Sequence, residues 1–159
     1  MQLSDLELVE AIGPIEMDAV RQLFRNYAHW LNVDLCFQDF EAEVVGLPGL
    51  YAPPRGILLL AKMKGTVAGC VGLRPLEDNI CEMKRLWVEP EFQGIGLGRH
   101  LAEVIVAAGR ELGYQAMRLD TLPDRLQAAQ HIYQSLGFQP IPDYYANPTD
   151  GVAMFELTY

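Results

Sequence analysis

The sequence predicts a mixed α/β fold, an antiparallel meander followed by alternating strand and helix. Three observations carry this. Ile57 to Ala61, Val67 to Leu73 and Ile80 to Val88 are apolar runs of strand length, parted only by short polar turns. The period then changes, with Leu97, Leu101, Val104, Ile105, Ala108 and Leu112 stepping along one helical face. A further strand-length run, Ala116 to Thr121, precedes a second helical stretch. Because a helix connects the strand at 80–88 to the one at 116–121, these two are predicted to lie parallel within an otherwise antiparallel sheet.

Each element has a local cause. After Pro14, a favoured first residue of a helix, Val20, Leu23, Phe24, Tyr27 and Leu31 recur at helical spacing. A second short helix is predicted from about Gln38 to Val45, before Gly46, so the chain is expected to open on two helices. Lys64-Gly65 and Glu77-Asp78-Asn79 supply the turns of the meander, and Gly113 stops the long helix. Asp124-Arg125-Leu126-Gln127 reads as a capping box that starts the last helix. That helix carries Leu126, Ala129, Tyr133 and Leu136 on one face, with Gly137 beyond it. No repeat, low-complexity stretch or linker interrupts the pattern, and the proline-bearing Leu47 to Gly56 is short enough to be a loop. With 159 residues, half of them hydrophobic, a single domain over 1–159 is expected.

Composition narrows the partners. Twelve basic residues against 21 acidic ones give a formal charge of −9, which lacks the positive field of a nucleic-acid or anionic-membrane binder. Neither nucleic acid nor membrane is expected as a partner. Met1 to Glu10 carries Asp5, Glu7 and Glu10 and does not read as a signal peptide, and no apolar stretch is long enough to span a bilayer. Cys36, Cys70 and Cys81 lack the spacing of a zinc site or a redox pair, which favours reduced, core-packing thiols and a cytoplasmic location. His29, His100 and His131 have no carboxylate or thiol at ligand spacing, so they read as surface or packing residues and no metal is expected.

The most informative segment runs from Leu86 through Trp87-Val88-Glu89-Pro90-Glu91-Phe92 to Gln93-Gly94-Ile95-Gly96-Leu97-Gly98-Arg99. Its glycines occupy every second position between a strand and the helix that follows. Glycine lets backbone N–H groups approach a phosphate without a side chain in the way, and the positive end of the helix favours an anion. Taken alone, such a turn could equally be an ordinary flexible connection. Its context argues against other phosphate sites, because no Lys-Ser or Lys-Thr completes a P-loop and the spacing is not the dinucleotide fingerprint. The glycine loop of S-adenosylmethionine-dependent methyltransferases matches superficially but fails on position, since only about 60 residues follow where several βα units would be needed.

These motifs resemble the GNAT superfamily of N-acetyltransferases over nearly the whole chain. That family's signature, Arg or Gln, two residues, Gly, one residue, then Gly or Ala, is matched by Gln93, Gly96 and Gly98. Leu86-Trp87-Val88-Glu89-Pro90 resembles its Leu-x-Val-x-Pro strand end, and Ile132 to Phe138 resembles its helix-four Tyr followed by Leu-Gly-Phe. Cys81 to Leu86, Arg118 to Leu122 and Tyr144 to Pro148 are similar to stretches of uncharacterised bacterial members. The resemblance implies the acyl-CoA N-acyltransferase fold, with the parallel strand pair forming the cofactor cleft. Acetyl-CoA is the implied cosubstrate.

The implied chemistry is direct attack of an amine on the acetyl thioester. Backbone groups of Leu86, Trp87 and Val88 would bind the pantetheine arm like an added strand, with an N–H near Val88 polarising the thioester carbonyl. Backbone N–H groups of Gln93, Gly94, Ile95, Gly96, Leu97, Gly98 and Arg99 would hold the pyrophosphate, and the Arg99 side chain could add a counter-charge. Tyr133 is the candidate general acid for the departing thiolate, although its helical spacing alone would place it in the core. Glu82, Asp120 or a water chain ending at either would take the amine proton, with a slight preference for Glu82. The partner is expected to be a small-molecule, amino-acid or peptide amine, with a homodimer as the assembly allowed for. The Trp30 to Phe37 and Tyr144-Tyr145 segments are expected to line its pocket. The competing reading is a regulatory module that binds acyl-CoA without turnover, which would have no need of a phenol at Tyr133.

Overall fold

A computed structural model of the chain describes residues 1–32, 34–35, 39–123 and 126–159. Along the chain run β1 (Leu6–Glu10), α1 (Pro14–Leu31), α2 (Phe40–Val45), β2 (Ile57–Met63), β3 (Thr66–Glu77) and β4 (Ile80–Val88). They are followed by α3 (Leu97–Glu111), β5 (Ala116–Thr121), α4 (Gln127–Ser135), β6 (Gln139–Ile141) and β7 (Ala153–Thr158). All seven strands join one sheet in the order β1-β2-β3-β4-β5-β7-β6. Only β4 and β5 pair in parallel; the other neighbours are antiparallel. The predicted mixed sheet, meander and parallel pair are therefore present.

Strand alternation divides the core in two. Leu59, Ala61 and Met63 of β2 and Cys81 and Met83 of β4 pack with Leu97, Leu101 and Ile105 of α3 and Tyr133 of α4. Leu58 and Leu60, together with Cys70 of β3 and Trp87 of β4, pack instead with Val20, Leu23 and Phe24 of α1 and Val44 of α2. Helices thus cover both faces, α1 and α2 on one and α3 and α4 on the other, as the period of 2 in strands against 3.6 in helices requires. The hairpin between β2 and β3 turns at Lys64 and Gly65, both in the left-handed region, the geometry that matches the twist of paired strands. Cys70 and Cys81 are fully buried, and burial pushes the Cys81 thiol up to about 12; Cys36 lies outside the described residues. Among the described residues no helix is long and apolar enough to cross a membrane.

The chain does not open on two helices. β1 precedes them as an edge strand, Leu6 pairing with Met63 and Glu10 with Leu59. Its apolar and acidic residues alternate only briefly, so the acidic positions read as a polar leader when they are the solvent side of a short strand. β6 is shorter still and carries Pro140, which suits an outer strand. The second helix begins at Phe40 with Asp39 as its cap; Gln38 lies outside the described residues. The Asp124 and Arg125 part of the predicted capping box also lies outside them, and α4 starts at Gln127.

Candidate active site

The site begins with a fault in β4. Cys70 of β3 faces Trp87 and Gly72 faces Lys84, so Arg85 and Leu86 stand opposite the single residue Val71. This is a β-bulge, and Arg85 adopts φ 61°, a left-handed conformation that costs a non-glycine residue roughly 1–2 kcal/mol. A buried ion pair holds it there. Arg85 donates from Nε and Nη2 to the two oxygens of Glu43 at 3.0 and 3.1 Å, and its guanidinium lies over the Phe40 ring. On the other side, β4 pairs with β5 only at Ile80, Cys81 and Glu82, opposite Ala116, Met117 and Arg118. Beyond Glu82 the strands separate, and a cleft opens between Met83 to Leu86 and Leu119 to Thr121.

The β4–α3 connection forms one wall of a groove continuous with that cleft, the two sharing Leu86, Leu126 and Ala129. Gly94 and Gly96 take φ 86° and 89°, and Gly96 is the N-cap of α3. A Cβ on Gly94 would meet nothing within 4 Å, and one on Gly96 only the Leu3 side chain, so backbone rather than side chain faces the opening. The first-turn N–H groups of α3 have no intrahelical acceptor, an arrangement that suits an anion. Gln93 Nε2 donates to the Val88 carbonyl at 2.9 Å and draws the connection closed.

Leu86, Trp87, Val88, Gln93, Gly94, Gly96, Leu97, Gly98 and Arg99 all border this groove. Ile95 instead packs against the core. Arg99 donates to Ser135 Oγ at 2.9 Å and lies 3.9 Å from Glu103, tying α3 to α4 across the groove. Trp30 is exposed at the rim, its ring 5.4 Å from that of Trp87. A glycine-lined wall of backbone donors, with Arg99 at its margin and an open strand edge beside it, fits the phosphates and amide arm of acetyl-CoA.

In the cleft, Tyr133 reaches in from α4, buried and edge-on to Phe138. Burial pushes its phenol well above the ordinary value, with Tyr27 and Asp120 adding to the effect. Asp120 borders the cleft from the end of β5, 3.3 Å from Lys84 Nζ, and accepts a hydrogen bond from the Tyr145 hydroxyl. Burial alone would raise its pKa, but Lys84, Tyr145 and Arg85 together hold the carboxyl below its usual value.

Glu82 lies deeper, 2% exposed. Arg74 Nε donates to one oxygen at 2.9 Å and the Tyr144 hydroxyl to the other at 2.6 Å. The two tyrosines therefore back the two carboxylates instead of lining the cleft themselves. Leu31 and Leu35 line it from the α1 side; Val33, Cys36 and Phe37 lie outside the described residues.

Several members of this site escape a reading of the sequence alone. Lys84, Arg85, Arg74 and Glu43 form its charged frame, yet their partners are 8 to 42 residues away. The one local signal is three charged residues, Glu82, Lys84 and Arg85, in a strand that is otherwise buried. Thr121 also borders the cleft, and its Oγ1 is buried without a hydrogen-bond partner among the described residues.

The charged frame has a pH consequence. Glu43 resembles Asp120: burial would raise its pKa, but Arg85, Arg74 and Tyr51 hold it below the ordinary value. Groups depressed on folding add stability that is present above the unfolded pKa, near 4, and is lost as pH falls through the folded one. The unfolding temperature is expected to fall steeply below about pH 4. Glu43→Gln should unfold earlier at neutral pH, by roughly 3–5 kcal/mol, because Arg85 is left buried and unpaired. Its acid limb should also be shallower; thermal scans from pH 7 to 3 showing parallel limbs would assign acid sensitivity to other groups.

The fold and the site define the class of protein. The model of the Acetyltransferase (GNAT) family matches residues 17–138, and the chain belongs to that family. It is an acetyl-CoA-dependent acyltransferase. Over 99% of its length it is 37% identical to an uncharacterized N-acetyltransferase of Schizosaccharomyces pombe, covering 97% of that protein. An acetyltransferase structure from Streptococcus agalactiae superposes with a TM-score of 0.77 at 20% identity, over 98% of this chain and 99% of that one. The ribosomal L7/L12 alpha-N-protein acetyltransferase, solved in complex with coenzyme A, superposes with a TM-score of 0.74 at 18% identity, over 98% and 94% of the two chains.

Proposed function

We propose that this enzyme, acting in the cytoplasm, transfers an acetyl group to a primary amine of a small molecule, an amino acid or a peptide. The observation that carries the reading is the continuity of the glycine-walled groove with the cleft that Tyr133 and Asp120 border from different elements. Bound acetyl-CoA supplies an activated acetyl thioester. Backbone groups of Leu86 to Val88, free of β5 beyond the split, offer the open strand edge along which an amide arm can lie. The loop of Gln93 to Arg99 offers backbone donors to the pyrophosphate.

Tyr133, a phenol protonated at neutral pH that borders the cleft, gives a proton to the departing thiolate in this reading. For the amine proton, Asp120 is favoured because it borders the cleft and Glu82 does not; each carboxylate is held by a cation and a tyrosine, Asp120 by Lys84 and Tyr145 and Glu82 by Arg74 and Tyr144. Asp120 is ionised at neutral pH, so it attracts an ammonium and passes its proton on through water, more as a charged station than as a strong base. Glu82 then acts at one remove, by fixing Tyr144 beside the Tyr145 that bonds Asp120.

The test is release of free CoA thiol across a panel of small and peptidic amines. Turnover on at least one primary amine, lost in Asp120→Asn by about 10²-fold or more with acetyl-CoA affinity retained, is the expected result. Full activity in Asp120→Asn together with loss in Glu82→Gln would return the proton to Glu82.

A further inference from the structure

Thr121 ends β5, is 4% exposed, and carries a hydroxyl that nothing among the described residues bonds. It is the single buried side-chain polar atom of which this is true among those residues. A buried hydroxyl loses its water on folding and regains nothing unless a partner arrives, so its persistence calls for a ligand. The atom belongs to a residue that borders the cleft, as Tyr133 and Ala129 do.

Strand alternation tells which side of the cleft it serves. Met117 and Leu119 of β5 face the α3 and α4 core, and Thr121 follows them at the same period. Asp120 points the other way, to Lys84 and Tyr145. Neighbouring residues thus divide the cleft between them: Asp120 stands on the α1 and α2 side, and Thr121 stands with Tyr133 on the α3 and α4 side. The groove is bordered by the start of α3 and by Ala128, Ala129 and Ile132 of α4, and it meets the cleft at Ala129. A chain laid along the groove therefore reaches Thr121 and Tyr133 together.

The chemistry of such a chain follows from amide geometry. In a trans amide the N–H and C=O point in opposite directions. An arm that uses one of them on the edge of β4 turns the other toward β5 and α4, where a buried amide group without a partner is costly. A threonine hydroxyl can donate to such a carbonyl or accept from such an N–H.

We propose that Thr121 Oγ1 bonds the amide of the pantetheine arm nearest the thioester, and so sets the depth at which the thioester stops before Tyr133. The inference rests on the acetyl-CoA reading of the groove. It makes Thr121 a cofactor-binding residue that sequence motifs do not single out.

Thr121→Val tests it, because valine keeps the shape and removes only the hydroxyl. Without ligand, Thr121→Val should unfold about 2–4 °C above the parent, since an unpaired buried group has been removed. By calorimetry its affinity for CoA should fall roughly five- to tenfold, while affinity for 3′-phosphoadenosine 5′-diphosphate, the nucleotide half alone, stays unchanged. Thr121→Ser should restore most of the CoA affinity. Equal losses for CoA and the nucleotide half, or a lower unfolding temperature in the valine variant, would make the hydroxyl structural and overturn the proposal. So would unchanged CoA affinity with a raised KM for the amine. Failure of the parent chain to bind CoA would instead overturn the reading of the groove itself.

Discussion

Replacing Gly96 with valine is expected to abolish the rise in unfolding temperature that acetyl-CoA confers on the parent chain. Gly96 caps α3 at φ 89°. A β-branched residue is strongly disfavoured there, so the chain must either store the strain or relax φ and swing the first-turn N–H groups away from the groove. Either response spoils the proposed anion site while leaving the core of α3, anchored by Leu97, Leu101 and Ile105, in place. A ligand present at a hundred times its Kd stabilises the native state by about 2.7 kcal/mol, a shift of several degrees for a chain of this size. Gly94→Ala is the graded control: the same sign of φ, open space around the new methyl, and a smaller loss. Scans with NADH and S-adenosylmethionine should show no shift for the parent chain. A shift with either of these and none with acetyl-CoA would assign the groove to another cofactor.

Tyr133→Phe is expected to slow the acetyl-transfer step by about 10²–10⁴-fold, with little change in acetyl-CoA affinity. Phenylalanine keeps the ring and its edge contact with Phe138, so packing survives. What is lost is the hydroxyl of a residue that borders the cleft, a phenol that is protonated at neutral pH. Single-turnover measurement on an active amine separates the chemical step from product release. An unchanged rate would hand protonation of the thiolate to water or to another group. A joint collapse of acetyl-CoA affinity and thermal stability would make Tyr133 a core residue, as its helical spacing alone suggests.

How far the sequence could be read depended on the range of the interaction concerned. β4, β5, α1 and α3 announce themselves through apolar period, a proline start and glycine stops, all local properties. The wall of the groove was legible for the same reason, because Gln93 to Arg99 shapes it from one continuous stretch of chain. β1 and β6 were not, since short edge strands have too few residues to establish a period. The frame around the cleft was illegible for a different reason. Arg85 could be read neither as a bulge nor as the partner of Glu43, because its left-handed φ is tolerable only once a residue 42 positions away is in place. Tyr144 and Tyr145 were visible as aromatics near the site, but only the fold shows that their hydroxyls hold carboxylates.

The position of β7 has a consequence for synthesis. β7 lies between β5 and β6, and Ala116 of β5 pairs with Thr158. Until Thr158 has left the ribosome, β5 has an unsatisfied edge on that flank, and the strand that carries Asp120 and Thr121 has no neighbour to fix its end. Pairings of such long sequence separation form late and slowly. A nascent chain halted before Ala153 would already include β4, α3 and α4, which border the glycine-walled groove, but not the strand that fixes the β5 side of the cleft. Cofactor capture and catalytic competence would thus be acquired at different moments in the life of the polypeptide.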